Sequence, residues 1–164
     1  MLSEKMQSAL NDQLNAEAYS AYLYLSMSAW FESQNLKGFA RWMQVQAQEE
    51  LTHSLKFYGH IHDRLGRVTL QAIEAPKTDW KSPLDAFKDA LAHEQKVTGL
   101  INDLVVLARA EKDNAAEIFL QWFVTEQVEE EASADDVVHK LGMVGDRPGL
   151  LFQLDAVMGR RGAD

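Results

Sequence analysis

Two short stretches hold most of the groups that could do chemistry. QEELTH (48–53) sets Glu49, Glu50 and His53 within little more than one helical turn, and EQVEEE (126–131) gathers Glu126, Glu129, Glu130 and Glu131 around Gln127. Glu50 and His53 stand three residues apart, so on a helix they share a face. A bridging carboxylate and one imidazole placed this way can ligate a metal. An oxygen-rich set with a single nitrogen suits iron(II) or manganese, with geometry left to exclude copper and zinc. The bland alternative is a solvated acidic helix face. Which reading holds depends on how the rest of the chain positions these groups.

The apolar residues Leu10, Leu14, Ala21 and Leu25 recur at helical steps and predict a helix over about 3–33. After the break SQNLKG a second helix is expected over 36–65. Residues 66–82 have no helical period, contain Pro76 and read as a long connection. Ser82 followed by Pro83 is an N-cap with proline at the first helical position, opening a third helix over 83–112. Asp113 can cap a fourth over 113–141, with Gly142 stopping it, and a short apolar helix over 147–158 follows GDRPG. Each long helix spans about 40 Å. Short links make two antiparallel hairpins, and the connection between them can reach about 55 Å, the length of the bundle. The expectation is an all-α chain forming one domain over 1–164: a four-helix bundle with one long crossover and a short fifth C-terminal helix.

On these helices the acidic groups interrupt apolar stripes. Residues seven apart share a stripe. Glu17 lies between Leu10 and Tyr24, Glu50 between Met43 and Phe57, and Glu94 between Phe87 and Ile101. Gln127 lies between Leu120 and Ala134, and Glu130 between Phe123 and Val137. Glu131 passes the same test, with Val124 and Val138, while His53 does not, with Gln46 and His60. Glu49, Glu126 and Glu129 have polar or mixed neighbours and belong to the flank of the stripe. Heights agree as well. The midpoint of 17 and 53 falls at residue 35 and that of 94 and 130 at residue 112, both in the hairpin turns. The inward carboxylates therefore stand at one level. Burying them together strongly disfavours their ionisation, so they hold either protons or a metal.

Composition fits cations as partners. The 164 residues carry 25 acidic and 16 basic groups, a net charge of −9, which disfavours nucleic acid and anionic membrane. No cysteine is present, which removes disulfides, zinc–thiolate sites, iron–sulfur clusters and cysteine nucleophiles together. Glu4, Lys5, Asp12 and Glu17 leave no apolar signal-peptide core, and no stretch approaches a membrane span, so a cytoplasmic protein is expected.

NAEAYSAYLYLSMSAW (15–30), AQEELTH (47–53), HEQ (93–95) and FLQWFVTEQVEEE (119–131) together resemble the non-haem ferritins, over nearly the whole chain. Ferritin-like di-iron proteins carry a glutamate on each of two helices and Glu-x-x-His on each of the other two. Here Glu17, Glu50, His53 and Glu94 fit, while Gln127 and Glu130 replace the second Glu-x-x-His, as in ferritins. The resemblance implies one iron at Glu17, Glu50 and His53, and a second at Glu50, Glu94 and Glu130 with Gln127 close by. It also implies a possible third at Glu49, Glu126, Glu129 and Glu130. Tyr24 matches the tyrosine beside ferritin centres and Trp122 matches too, where packing is its simpler role. His60, His62, His93 and His139 are given no role.

The implied function is iron storage with ferroxidase activity. Iron(II) would be oxidised by dioxygen or hydrogen peroxide through an oxygen-bridged iron(III) pair, then deposited as mineral inside a shell of 24 chains. Such a shell would place the short fifth helix at its fourfold axis. A bacterioferritin would have a haem-ligating methionine where this chain has Thr52, so no haem is expected. A haem-free di-iron oxidase that detoxifies peroxide is the alternative within the same family. A structural bundle with protonated glutamates is the alternative without metal.

Overall fold

Three of the five helices begin where a side-chain oxygen is available to cap them. Ser3 accepts from the Met6 amide (3.0 Å), Ser82 from Asp85 (3.1 Å) and Asp113 from Ala116 (3.0 Å). The computed structural model describes residues 2–162. It contains α1 (Glu4–Ser33), α2 (Lys37–Asp63), α3 (Pro83–Ala110), α4 (Asn114–Val144) and α5 (Pro148–Met158), with no strand among the described residues. The first four form the bundle, paired α1 with α2 and α3 with α4, and the 66–82 connection crosses between the pairs.

Asn35, Leu65 and Lys112 close α1, α2 and α3 in the left-handed conformation, at φ 57°, 57° and 56°. The amide after each one bonds back five residues: Leu36 to Phe31, Gly66 to Ile61 and Asp113 to Ala108. This motif ends α2 and α3 slightly before residues 65 and 112. At the end of α4 the difference runs the other way. The helix passes through Gly142, expected to stop it, and ends at Val144, with Gly145 at φ 54° breaking it. An interior glycine costs about 1 kcal/mol against alanine. That is too little to end a helix whose Leu141 and Val144 are still buried.

The apolar core is divided in two. One half, built on Phe31, Phe39, Trp42 and Phe87, lies at the α1–α2 turn. The other, built on Met6, Leu10, Phe57 and Ile101, lies at the opposite end. Every bundle helix passes from one half to the other through buried polar residues. Glu17 lies between Leu14 and Leu23, Glu50 and His53 between Ala47 and Phe57, Glu94 between Ala90 and Val97, and Gln127 and Glu130 between Phe123 and Val137. The crossover is tied down at both ends. Asn11 donates to the Arg67 carbonyl (3.0 Å) and accepts from the Thr69 amide (2.7 Å), and Trp80 packs on Trp30.

α5 docks on the start of α2. Leu36 offers α2 no side-chain cap, and Asp155 supplies one by accepting from the Phe39 amide (2.9 Å). The approach requires glycine at position 38, where a Cβ would stand 1.7 Å from the Asp155 carbonyl oxygen. Gly38→Ala is therefore expected to push α5 away, costing about 1–3 kcal/mol as overpacking does. The readouts are a lower melting temperature and faster protease cleavage between α4 and α5. Unchanged values for both would mean the contact relaxes freely.

Candidate metal centre

The polar layer brings six sequence-predicted residues together. Glu17, Glu50, His53, Glu94, Gln127 and Glu130 are each at most 6% exposed. Ligand atoms of Glu17, Glu50 and His53 lie within 4.8 Å of one another, as do those of Glu50, Glu94 and Glu130, so Glu50 belongs to both groups. His53 Nδ1 lies 3.4 Å from Glu50 Oε2 and 3.9 Å from Glu17 Oε2. An ion with bonds of about 2.1 Å fits between donors so spaced. Glu130, not Glu131, completes the second group, because Glu131 turns aside to accept from Thr98 Oγ1 (2.5 Å).

Amides and a phenol hold the carboxylates in place. Gln13 donates to Glu17 (2.7 Å), and Gln46 donates to both Glu50 (3.1 Å) and Glu130 (2.7 Å), linking α2 to α4. Gln127 uses its Nε2 on Glu94 Oε2 (3.2 Å), and Tyr24 donates its hydroxyl to the other oxygen of Glu94. Gln13 and Gln46 are functional neighbours that the stripe test passes over. The signal for them is spacing: each glutamine stands four residues before the glutamate it contacts, on the same helix face.

Burial decides the electrostatics. Desolvation and then the charge of Glu50 push Glu94 up to about 8, and desolvation with Glu94 and Glu50 does the same to Glu130. Glu17 is raised well above 4.5 by burial and then by Glu50. Burial alone would lower His53, but its hydrogen bond to Glu50 and the charges of Glu50, Glu130 and Glu126 outweigh it, so the imidazole is raised. Tyr24 is held protonated by burial and Glu94, which keeps it a donor. Without a cation the layer therefore carries protons at neutral pH. Glu17 Oε2 is buried with no hydrogen-bond partner. Buried acceptors rarely remain so, and a cation beside His53 Nδ1 would satisfy this one.

The flanking residues divide. Glu126 faces His53 Nε2 at 3.7 Å, and His53, Glu126 and Glu130 form a third group of ligand atoms within 4.8 Å. Glu49 is in none of the groups and pairs with Arg161, while Glu129 is exposed. Trp122 sets its ring 5.3 Å from that of His53, edge to face, and packs there while 40% exposed. His93 turns away from the centre to Ser20 Oγ (2.7 Å), and His60 stacks on Phe119.

Known proteins resemble this chain along nearly its whole length. A ferritin-like domain family model matches residues 7–144. Bacterial non-heme ferritin of Bacteroides fragilis (strain 638R) is 44% identical over 161 residues, covering 98% of this chain and all of that protein. The Staphylococcus aureus (strain MRSA252) protein of the same name is 40% identical over 164 residues, covering all of this chain and 99% of its own. Among solved structures, an open pore ferritin from the hyperthermophilic archaeon Archaeoglobus fulgidus superposes with a TM-score of 0.97 at 53% identity, over 98% of this chain and 99% of that one. Likeness of this extent, in sequence and in fold, means that the chain belongs to the non-haem ferritin family.

Proposed function

We propose that this protein stores iron, taking up iron(II), oxidising it inside the bundle and passing it on as iron(III) to a mineral. The observation that carries this reading is the sharing of buried Glu50 between two ligand groups, which sets two ions side by side. Glu17, Glu50 and His53 hold the first ion, and Glu50, Glu94 and Glu130 hold the second, with Gln127 and Tyr24 fixing Glu94. Each ion gives one electron to dioxygen or hydrogen peroxide, and the protein's contribution is to hold the pair together away from bulk water. The second ion meets only carboxylates, hard ligands that favour iron(III) and so help draw the electron from it. Glu126 and Glu130, with Glu49 and Glu129 on the flank, offer a third position on the way out. No haem has a part in this reading.

Storage needs an enclosure, and α5 supports one. It exposes Phe152 (75%) and Val157 (51%), apolar surface that a further copy of the chain would cover. We read the assembly as a shell of 24 chains. No helix among the described residues is long and apolar enough to cross a membrane. We place the protein in the cytoplasm, without nucleic acid or membrane as partner.

The test is anaerobic titration with iron(II), followed by an oxygen pulse. Binding is expected to break at two ions per chain, with a fast transient visible absorption after oxygen, and both signals are expected to be lost in His53→Ala. Oxidation no faster than in buffer would end the proposal.

A further inference from the structure

The residues after α5 turn back along α2. Gly162, at φ 68°, accepts from Arg41 Nη2 (3.4 Å), and a Cβ there would come 3.1 Å from Val45. Arg161 lays its guanidinium 4.1 Å over the ring centroid of buried Trp42 and sets Nη2 2.5 Å from Glu49 Oε2. Trp42, Val45 and Glu49 follow the helical repeat, so the tail lies along one stripe of α2.

We propose that Arg161 is a specificity-determining residue for the flank of the centre: a tethered cation that occupies Glu49 and holds the outer position closed to a third ion until the tail lets go. The inference rests on the reading of Glu126 and Glu130, with Glu49 on their flank, as that third position. A guanidinium keeps its charge at any pH the protein meets, so an incoming divalent ion must displace it or bind beside it. Glu49 adjoins Glu50 and stands one helical turn before His53 on α2, and His53 belongs to the third group of ligands, so the charge of Glu49 bears on that group even where its oxygens do not touch it. The two inner groups do not include Glu49, so none of their ligands is occupied by this contact. Release is within reach as well. Arg161 Nη1 is buried with no acceptor, and an unsatisfied buried donor sets the closed state's advantage low.

Zinc(II), which no oxidant can turn over, is the probe. Calorimetric titration of the metal-free protein is expected to show two tight ions per chain and a weaker third. Arg161→Gln should tighten the third by about fivefold, from loss of a part-exposed ion pair and a cation–π contact. It should leave the inner two unchanged. Arg161→Lys, which keeps the charge, should stay near the unaltered protein. In a Glu49→Gln background, Arg161→Gln should have no effect. A third ion indifferent to Arg161→Gln, or equally tightened by Arg161→Lys, overturns the gate while leaving the inner centre standing. Absence of the two inner ions from the unaltered protein overturns the proposed centre itself, and the gate with it.

Discussion

Glu50→Gln is expected to lower the initial rate of iron(II) oxidation by at least about 100-fold, since even groups that only orient metal ligands are worth 10–100-fold. It should also raise the melting temperature of the metal-free protein. The two effects have one cause. Glu50 is the single carboxylate common to both inner groups, so losing its charge weakens both ion positions at once. The same charge raises Glu17, Glu94 and Glu130, which marks Glu50 as a repulsive neighbour to all three when no ion is present. The glutamine amide keeps the shape and can still accept from Gln46, so no cavity offsets the relief. A gain of roughly 1 kcal/mol would shift the midpoint by about 2–4 °C in a chain of this size. Oxidation within a few-fold of the unaltered protein would exclude a shared ligand. A lower midpoint would show that the lost attraction to His53, whose Nδ1 lies 3.4 Å from Glu50 Oε2, outweighs the repulsion.

Metal-free protein should lose stability as the pH rises from about 5 to 8, and metal-loaded protein should not. Glu94 and Glu130 move from an ordinary value of 4.5 to about 8 on folding. Between those values the folded state binds more protons than the unfolded one, so stability falls with pH. Each retained proton contributes a slope on the order of 1.4 kcal/mol per pH unit. His53, also raised on folding, adds a contribution of the same sign, present in full below 6.5 and lost as the pH passes its folded value. Metal replaces these protons and favours the deprotonated site, so the loaded protein should gain stability over the same interval. Thermal denaturation at several pH values, with and without zinc, tests both halves. A metal-free midpoint that climbs from pH 5 to 8 would refute the protonated layer.

The helices and the level of the polar layer were legible because both follow from spacing within one element. Glu17 between Leu10 and Tyr24 marks a buried stripe, and a midpoint at residue 35 sets the height, with no tertiary information required. Choosing between Glu130 and Glu131 was beyond that method. They stand about 100° apart, each with apolar residues seven away, and the choice is made by Thr98, a donor on another helix. Arg161 was further out of reach, since nothing local links it to a glutamate 112 positions earlier. α4 runs past Gly142 for a related reason: glycine's weak local preference yields to the burial of Leu141 and Val144. Sequence period finds what one element does alone. Partners across elements need coordinates.

The division of the apolar core bears on how such a chain can change over time. Adhesion between the helices is concentrated at the two ends, in Phe31, Phe39 and Phe87 at one and Met6, Leu10 and Phe57 at the other. The middle contributes chemistry, and its share of the cohesion comes through hydrogen bonds such as Gln46 to Glu130 and Tyr24 to Glu94. A substitution among its carboxylates therefore alters which ions are held, and for how long, without removing what keeps the helices together. The ends confer robustness on the fold, and the layer between them is left free to drift from a centre that keeps its metal to one that hands it on.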